Sequence, residues 1–181
     1  MRQAALFVRA IPVFAALVLL VACDGSDSMK AEQGGGEIAL TVNRTGWSEI
    51  WLMGADGSDR RRLTELEPAQ NDAAGSSSPA WSPDGTQIAF AAQIGTLAED
   101  PRVSEIYVMD ADGTDRRRLT TNDDADGTPS WSPDGKRIAL TRIVDQGTEG
   151  ARSGIYVMDA DGGGEVQITQ AAWPNIDFSP A

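Results

Sequence analysis

Histidine is absent from this chain, cysteine occurs once, at Cys23, and tyrosine only twice. Without histidine there can be no Ser-His-Asp triad, no Cys-His pair and no His-ligated zinc or haem. A single cysteine has no partner for an internal disulfide and cannot build a multi-cysteine metal site. Basic charge is scarce as well: 15 Lys+Arg stand against 27 Asp+Glu, a formal net charge of −12. Nucleic acid is therefore not an expected partner, since its phosphates are bound by cations that displace counterions. The 181 residues allow one or at most two small domains. What this composition leaves open is carboxylate chemistry, or no chemistry at all.

Long apolar runs are equally rare, and the one present is N-terminal. Thirteen uncharged residues, Ala10 to Ala22, follow Arg2 and Arg9. A membrane span needs about 20 such residues. A shorter run behind a basic flank reads as an export signal, with an uncleaved anchor helix as the alternative. The run closes on Leu20-Val21-Ala22-Cys23, which resembles the bacterial lipobox. That resemblance implies removal of residues 1–22 as a signal peptide and acylation of Cys23. A buried core cysteine is the plain alternative, opposed by the polar Asp24-Gly25-Ser26-Asp27-Ser28 that follows. Acyl chains contribute about 0.8 kcal/mol per buried CH₂, so two or three would hold the protein on a membrane. Loss of Arg2 and Arg9 with the signal takes the net charge from −12 to −14. Residues 23–36 then form the lipidated cysteine and a flexible tether, polar and glycine-rich, with a reach of roughly 20 Å.

The remainder repeats itself. Ile50 to Thr64 returns as Ile106 to Thr120 with 11 of 15 positions identical, and again as Ile155 to Thr169, where 9 of 15 match the second copy. Trp81-Ser82-Pro83-Asp84-Gly85-Thr86-Gln87-Ile88-Ala89-Phe90 recurs at Trp131 to Leu140 with 7 of 10 identical. Each unit parses into short strands separated by turns, because Pro fixes φ where a type I turn begins and Gly tolerates the reversal. Ile106 and Val108 point to one side of their strand, Tyr107 and Met109 to the other, and all four are apolar. A strand buried on both faces lies inside a stack of sheets. Four strands in each ~50-residue unit, stacked face to face, give an all-β fold of β-propeller type. The expected units are 37–82, 83–132 and 133–180, an arc of three four-stranded antiparallel blades within residues 37–180.

These motifs, Trp-Ser-Pro-Asp-Gly, Ile-Ala-Phe and Ile-Tyr-Val-Met-Asp-Ala-Asp-Gly, resemble the repeat of the TolB-type propeller family. The resemblance implies a non-catalytic envelope propeller that mediates protein–protein interaction. Similar blades accompany prolyl-oligopeptidase-like hydrolases, which supplies the alternative: a regulatory or substrate-gating propeller without its catalytic domain. The family's ring has six blades, and the repeats here count three.

Candidate chemistry has a plainer reading at each position. Asp110-Ala111-Asp112-Gly113 and Asp124-Ala125-Asp126-Gly127 echo the start of a calcium loop, yet neither supplies the Glu required at its twelfth position. Both are read as hairpin turns, in which Asp bonds local backbone. Ser82 and Ser132 lack any histidine base and are assigned to their turns. Arg60-Arg61-Arg62 and Arg116-Arg117-Arg118 are read as solvated strands paired with nearby acids, or else as a basic stripe for an acidic partner or anionic headgroups. Trp81 and Trp131, with Phe178 in the third copy, are expected to be structural rather than ligand-contacting. No catalytic residue, metal site or cofactor is expected, and Cys23 is the one modification site. An open arc would leave Ile38 and Leu40 uncovered at one end, and Ile155 and Val157 or Tyr156 and Met158 at the other. The expected partners are another envelope protein or a second copy, in a homodimer that completes six blades, with the membrane reached through the lipid.

Overall fold

The computed structural model describes residues 33–34, 36–44, 47–65, 75–93, 103–145, 150–169 and 171–172. Residues 1–32, with the signal segment and Cys23, lie outside them, as does Phe178. Every described regular element is a strand, and the strands form three four-stranded antiparallel units. Blade one is β1 (Gln33–Gly34), β2 (Glu37–Arg44), β3 (Trp47–Gly54) and β4 (Arg61–Arg62). Blade two is β5 (Gly75–Trp81), β6 (Gln87–Gln93), β7 (Ser104–Asp110) and β8 (Arg117–Arg118). Blade three is β9 (Ala125–Trp131), β10 (Arg137–Val144), β11 (Arg152–Asp159) and β12 (Val166–Gln167). A last short strand, β13 (Ala171–Ala172), pairs with the start of β11. One parallel bridge, Ser104 to Ala125, links blades two and three within a single sheet.

The blades are offset by one strand from the units 37–82, 83–132 and 133–180. The strands that end on Trp81 and Trp131 each open a blade instead of closing one: Trp81 pairs with Ile88, and Trp131 with Ile138. The cause is the tight Ser-Pro-Asp-Gly turn, which folds the strand before it directly onto the strand after it. Two residues of the expected tether belong to blade one as well. Gln33 pairs with Ile38, so it occupies the register position that tryptophan holds in the other two blades.

Sequence chemistry accounts for the irregularities. β5 and β9 each carry a proline, Pro79 and Pro129, which a central strand tolerates only at a bulge. The ladder slips at both places, and the preceding Ser78 and Thr128 take φ of 54° and 46°. The turns after the third strands are closed by backbone bonds such as Gly113 N to Asp110 O at 2.8 Å and Gly162 N to Asp159 O at 2.9 Å.

Two apolar cores lie between the blades, and the middle blade supplies a face to each. Ala39, Ile50 and Leu52 of blade one meet Trp81, Ile88, Phe90, Tyr107 and Met109 of blade two. On the opposite side, Ala89, Ala91, Ile106 and Val108 meet Ile138, Leu140 and Met158 of blade three. The two-sided burial expected of Ile106 to Met109 is thus present, with Ile106 and Val108 in one core and Tyr107 and Met109 in the other. Among the described residues the large hydrophobics that stay exposed are Val166 (58%) and Ile168 (60%), both in blade three.

Candidate functional site

The repeat makes two like turns neighbours. Ser82-Pro83-Asp84-Gly85 joins β5 to β6, Ser132-Pro133-Asp134-Gly135 joins β9 to β10, and the two stand side by side. Gly135, at φ 69°, lies over Pro83, whose Cγ would be 3.5 Å from a Cβ at that position. Between the turns runs a groove of about 370 Å³, lined among others by Pro83, Asp84, Gln87, Trp131, Asp134 and Ala160. Trp131 is half-buried, and its Nε1 donates to the carbonyl of Ala80 at 3.2 Å, tying blade three to blade two; its structural role is as expected, but its ring also lines the groove, which the purely structural expectation did not include. Trp81 is buried, and its Nε1 has no hydrogen-bond partner among the described residues.

In both turns the serine hydroxyl and one aspartate oxygen have local tasks. Ser82 Oγ donates to Asp84 Oδ1 at 2.6 Å, and the same carboxylate oxygen accepts from Thr86 N at 3.1 Å and Thr86 Oγ1 at 2.9 Å. Gln87 N donates back to Ser82 Oγ at 2.9 Å. Blade three repeats the set: Ser132 Oγ and Lys136 N donate to Asp134 Oδ1 at 2.6 and 3.1 Å. The bond from Ser82, then those from Thr86, hold Asp84 below its ordinary carboxylate pKa, and the bond from Ser132 does the same for Asp134. Acid–base catalysis by a carboxylate pair needs one pKa raised to keep a proton. Here both are lowered, so the groove presents two fixed anions and no acid. Ser82 and Ser132 serve their turns, as expected.

The other sequence candidates divide. Asp112 Oδ1 accepts from Thr114 N at 2.9 Å and Thr114 Oγ1 at 2.6 Å, which lowers its pKa, and Asp56 does likewise with Ser58. Those acidic stretches are turns. Asp124-Ala125-Asp126-Gly127 is not a turn: β9 begins at Ala125, and Asp126 is 1% exposed. Arg142, 8% exposed, donates to Asp126 through Nε at 2.6 Å and Nη2 at 2.9 Å, and to Glu165 through Nη1 at 2.5 Å and Nη2 at 2.8 Å. Its guanidinium also lies 4.5 Å from the Tyr156 ring centroid. Burial opposes the charge on Arg142, but these carboxylates outweigh burial and raise its pKa. Asn122 Nδ2 extends the network from Asp126 (2.9 Å) to Glu105 (3.4 Å), which is fully buried and accepts from Arg118 at 2.7 Å. Burial raises the pKa of the adjacent Asp124. Sequence reasoning passed over this network, although a signal was present. Aligning the repeats puts Arg142 opposite Ala92, Asp126 opposite Ser76 and Glu165 opposite Arg116, three charged departures in one blade.

The arginine runs lie along blade edges and pair with acids, as their plainer reading held. Arg61 meets Glu37 at 3.3 Å, Arg62 meets Glu49 at 3.2 Å and also Glu65, and Arg118 meets Glu105. Arg61 and Arg117 also reach across to the next blade, to the carbonyls of Ala111 (3.4 Å) and Ala160 (3.0 Å). Among the described residues no group of three His, Cys, Asp or Glu is placed to hold a metal ion.

Comparison with known proteins agrees with this geometry. The pattern of the TolB beta propeller domain matches residues 67–180. No curated protein matches the sequence. Among solved structures, the TolB assigned in Agrobacterium tumefaciens superposes with a TM-score of 0.61 at 22% identity, over 76% of this chain and 47% of that one. TolB from Acinetobacter baumannii gives 0.54 at 21% identity, over 75% and 30%. An oligogalacturonate lyase from Vibrio parahaemolyticus gives 0.53 at 12% identity, over 77% and 38%. At these identities the likeness is one of fold, and this chain spans about half the length of the first structure.

Proposed function

The chain belongs to the TolB beta propeller domain family, and from that premise we propose that it is a non-catalytic, lipid-anchored envelope propeller that recognises another protein. One observation carries the reading. The groove between the Ser-Pro-Asp-Gly turns combines the indole of Trp131 with the fixed carboxylates of Asp84 and Asp134, and both carboxylates already hold their turns. Such a surface can recognise a partner's cationic and apolar side chains, while its two ionised carboxylates supply no proton donor. Anchoring rests on Leu20-Val21-Ala22-Cys23, which places the acylated residue at the end of an export signal and the blades on the outer side of the membrane that bears it.

Two measurements test the proposal. Wild-type chain should take up labelled palmitate and fractionate with membranes, whereas Cys23→Ser should do neither. A photocrosslinking residue at Gln87, on the groove wall, should capture one envelope protein in living cells, and Asp84→Asn with Asp134→Asn should weaken that capture. Capture of a serine hydrolase instead would favour the gating reading. Turnover of any substrate that Asp84→Asn abolishes would overturn the non-catalytic one.

A further inference from the structure

Blade three shows how this chain seats a guanidinium. Arg142 lies 4.5 Å from the Tyr156 ring centroid and donates to two carboxylates, Asp126 and Glu165. Arg116 lies 5.8 Å from the ring centroid of Phe90. A guanidinium suits such a seat because its face stacks on a ring while its edge bonds carboxylate oxygens.

The groove between the two Ser-Pro-Asp-Gly turns holds the same parts without the cation. Trp131 supplies a half-buried ring whose N–H is already bonded to Ala80. Asp84 and Asp134 line the same groove. Each uses Oδ1 for its own turn, and neither Oδ2 bonds a described residue. The repeat shows which side is short of positive charge. Blade three follows its turn with Lys136 and Arg137, both near enough to stabilise the charge of Asp134. Blade two has Thr86 and Gln87 at those positions, and no cation among the described residues acts on Asp84. Pro83, Pro133 and Ala160 complete the lining and can cover the apolar stem of a long side chain.

We propose that the groove takes an arginine side chain of the protein partner, its guanidinium stacked on Trp131 and paired with Asp84. That arginine supplies the cation that blade two lacks. The inference rests on the reading of the groove as a protein-recognition surface and adds what the groove recognises. Arginine is favoured over lysine because an ammonium is a point charge that cannot stack and fork at once. The net charge of −12 draws a cationic segment toward the chain before contact.

The Trp131 indole N–H reports on the site by nuclear magnetic resonance, in the full chain extracted in detergent with isotope-labelled tryptophan. A blocked glycyl-arginyl-glycine peptide should shift that signal saturably. The same peptide with lysine should bind about threefold more weakly, having lost the stacked fork. The neutral citrulline peptide should bind about fivefold more weakly, and Asp84→Asn should weaken the arginine peptide by a similar factor, that of one exposed ion pair. Gln87→Arg, which gives blade two the residue of blade three, should fill the site from within and abolish the shift while unfolding stays cooperative. The absence of a saturable shift, equal affinity for the three peptides, or undiminished binding to Gln87→Arg would each overturn the proposal. Capture of an envelope protein at Gln87 without any preference for arginine would remove this inference alone. Arginine binding without a captured protein would support the arginine site and remove the protein-recognition reading.

Discussion

The two blade junctions share a backbone plan and differ in what holds them. Blades one and two meet through an apolar core centred on Phe90, which is fully buried and stacks on Tyr107 with ring centroids 5.8 Å apart. Blades two and three keep a smaller apolar core and add a chain of charges running from Arg118 through Glu105, Asn122 and Asp126 to Arg142 and Glu165. A repeat therefore conserves the geometry of stacking without fixing its chemistry. An apolar junction is destabilised by lost volume, whereas an ionic one is destabilised by loss of a single partner, which strands the other in a low-dielectric site.

That contrast can be broken from either side. Phe90→Ala should cost about 3–5 kcal/mol, the usual loss for a buried aromatic, read as a lower urea midpoint with an unchanged slope. Arg142→Met should cost about 3 kcal/mol, because Asp126 is left buried without its cation. Adding Asp126→Ser, the residue type that blade two has there at Ser76, should restore much of that stability. A double variant no better than Arg142→Met would show that the network does not act as a unit. Trp131→Ala should cost less than Phe90→Ala, about 2 kcal/mol, since the indole is only half-buried. Acid should have the smallest effect. Asp56, Asp84, Asp112 and Asp134 are lowered from 3.8, so their contribution is complete above that value and is lost as pH falls through the lowered ones. Asp124, raised by burial, acts in the opposite sense and is relieved by its proton. Thermal unfolding should shift down below about pH 4, and Asp134→Asn should flatten part of the shift.

Much of the stacking was legible in the residues. The alternation Ile106-Tyr107-Val108-Met109, apolar on both sides, is enough to place a strand between two others, and the structure puts it there. The Asp-Gly turns were legible because a carboxylate two residues before a backbone N–H closes locally, whatever surrounds it. Blade phase was not. A strand rich in Ser and Gly, such as Gly75 to Trp81, can pair with either sequence neighbour, and only the short turn after it settles the choice. Asp126 was misread for a related reason. Asp and Gly mark turns in isolation, and what lets Asp126 lie buried in a strand is a cation sixteen positions later. Long-range pairing of that kind is invisible to a local reading.

Trp81 and Trp131 also differ as optical probes. The indole dipole grows on excitation, so emission moves to longer wavelength wherever water or a hydrogen-bond acceptor can relax around it. Trp81, buried and with no N–H acceptor among the described residues, should emit to the blue; Trp131, half-open and bonded to Ala80, should emit to the red. With Trp47, Trp51 and Trp173 replaced by phenylalanine, these two indoles, one at each junction, would form a two-colour gauge of which junction opens first.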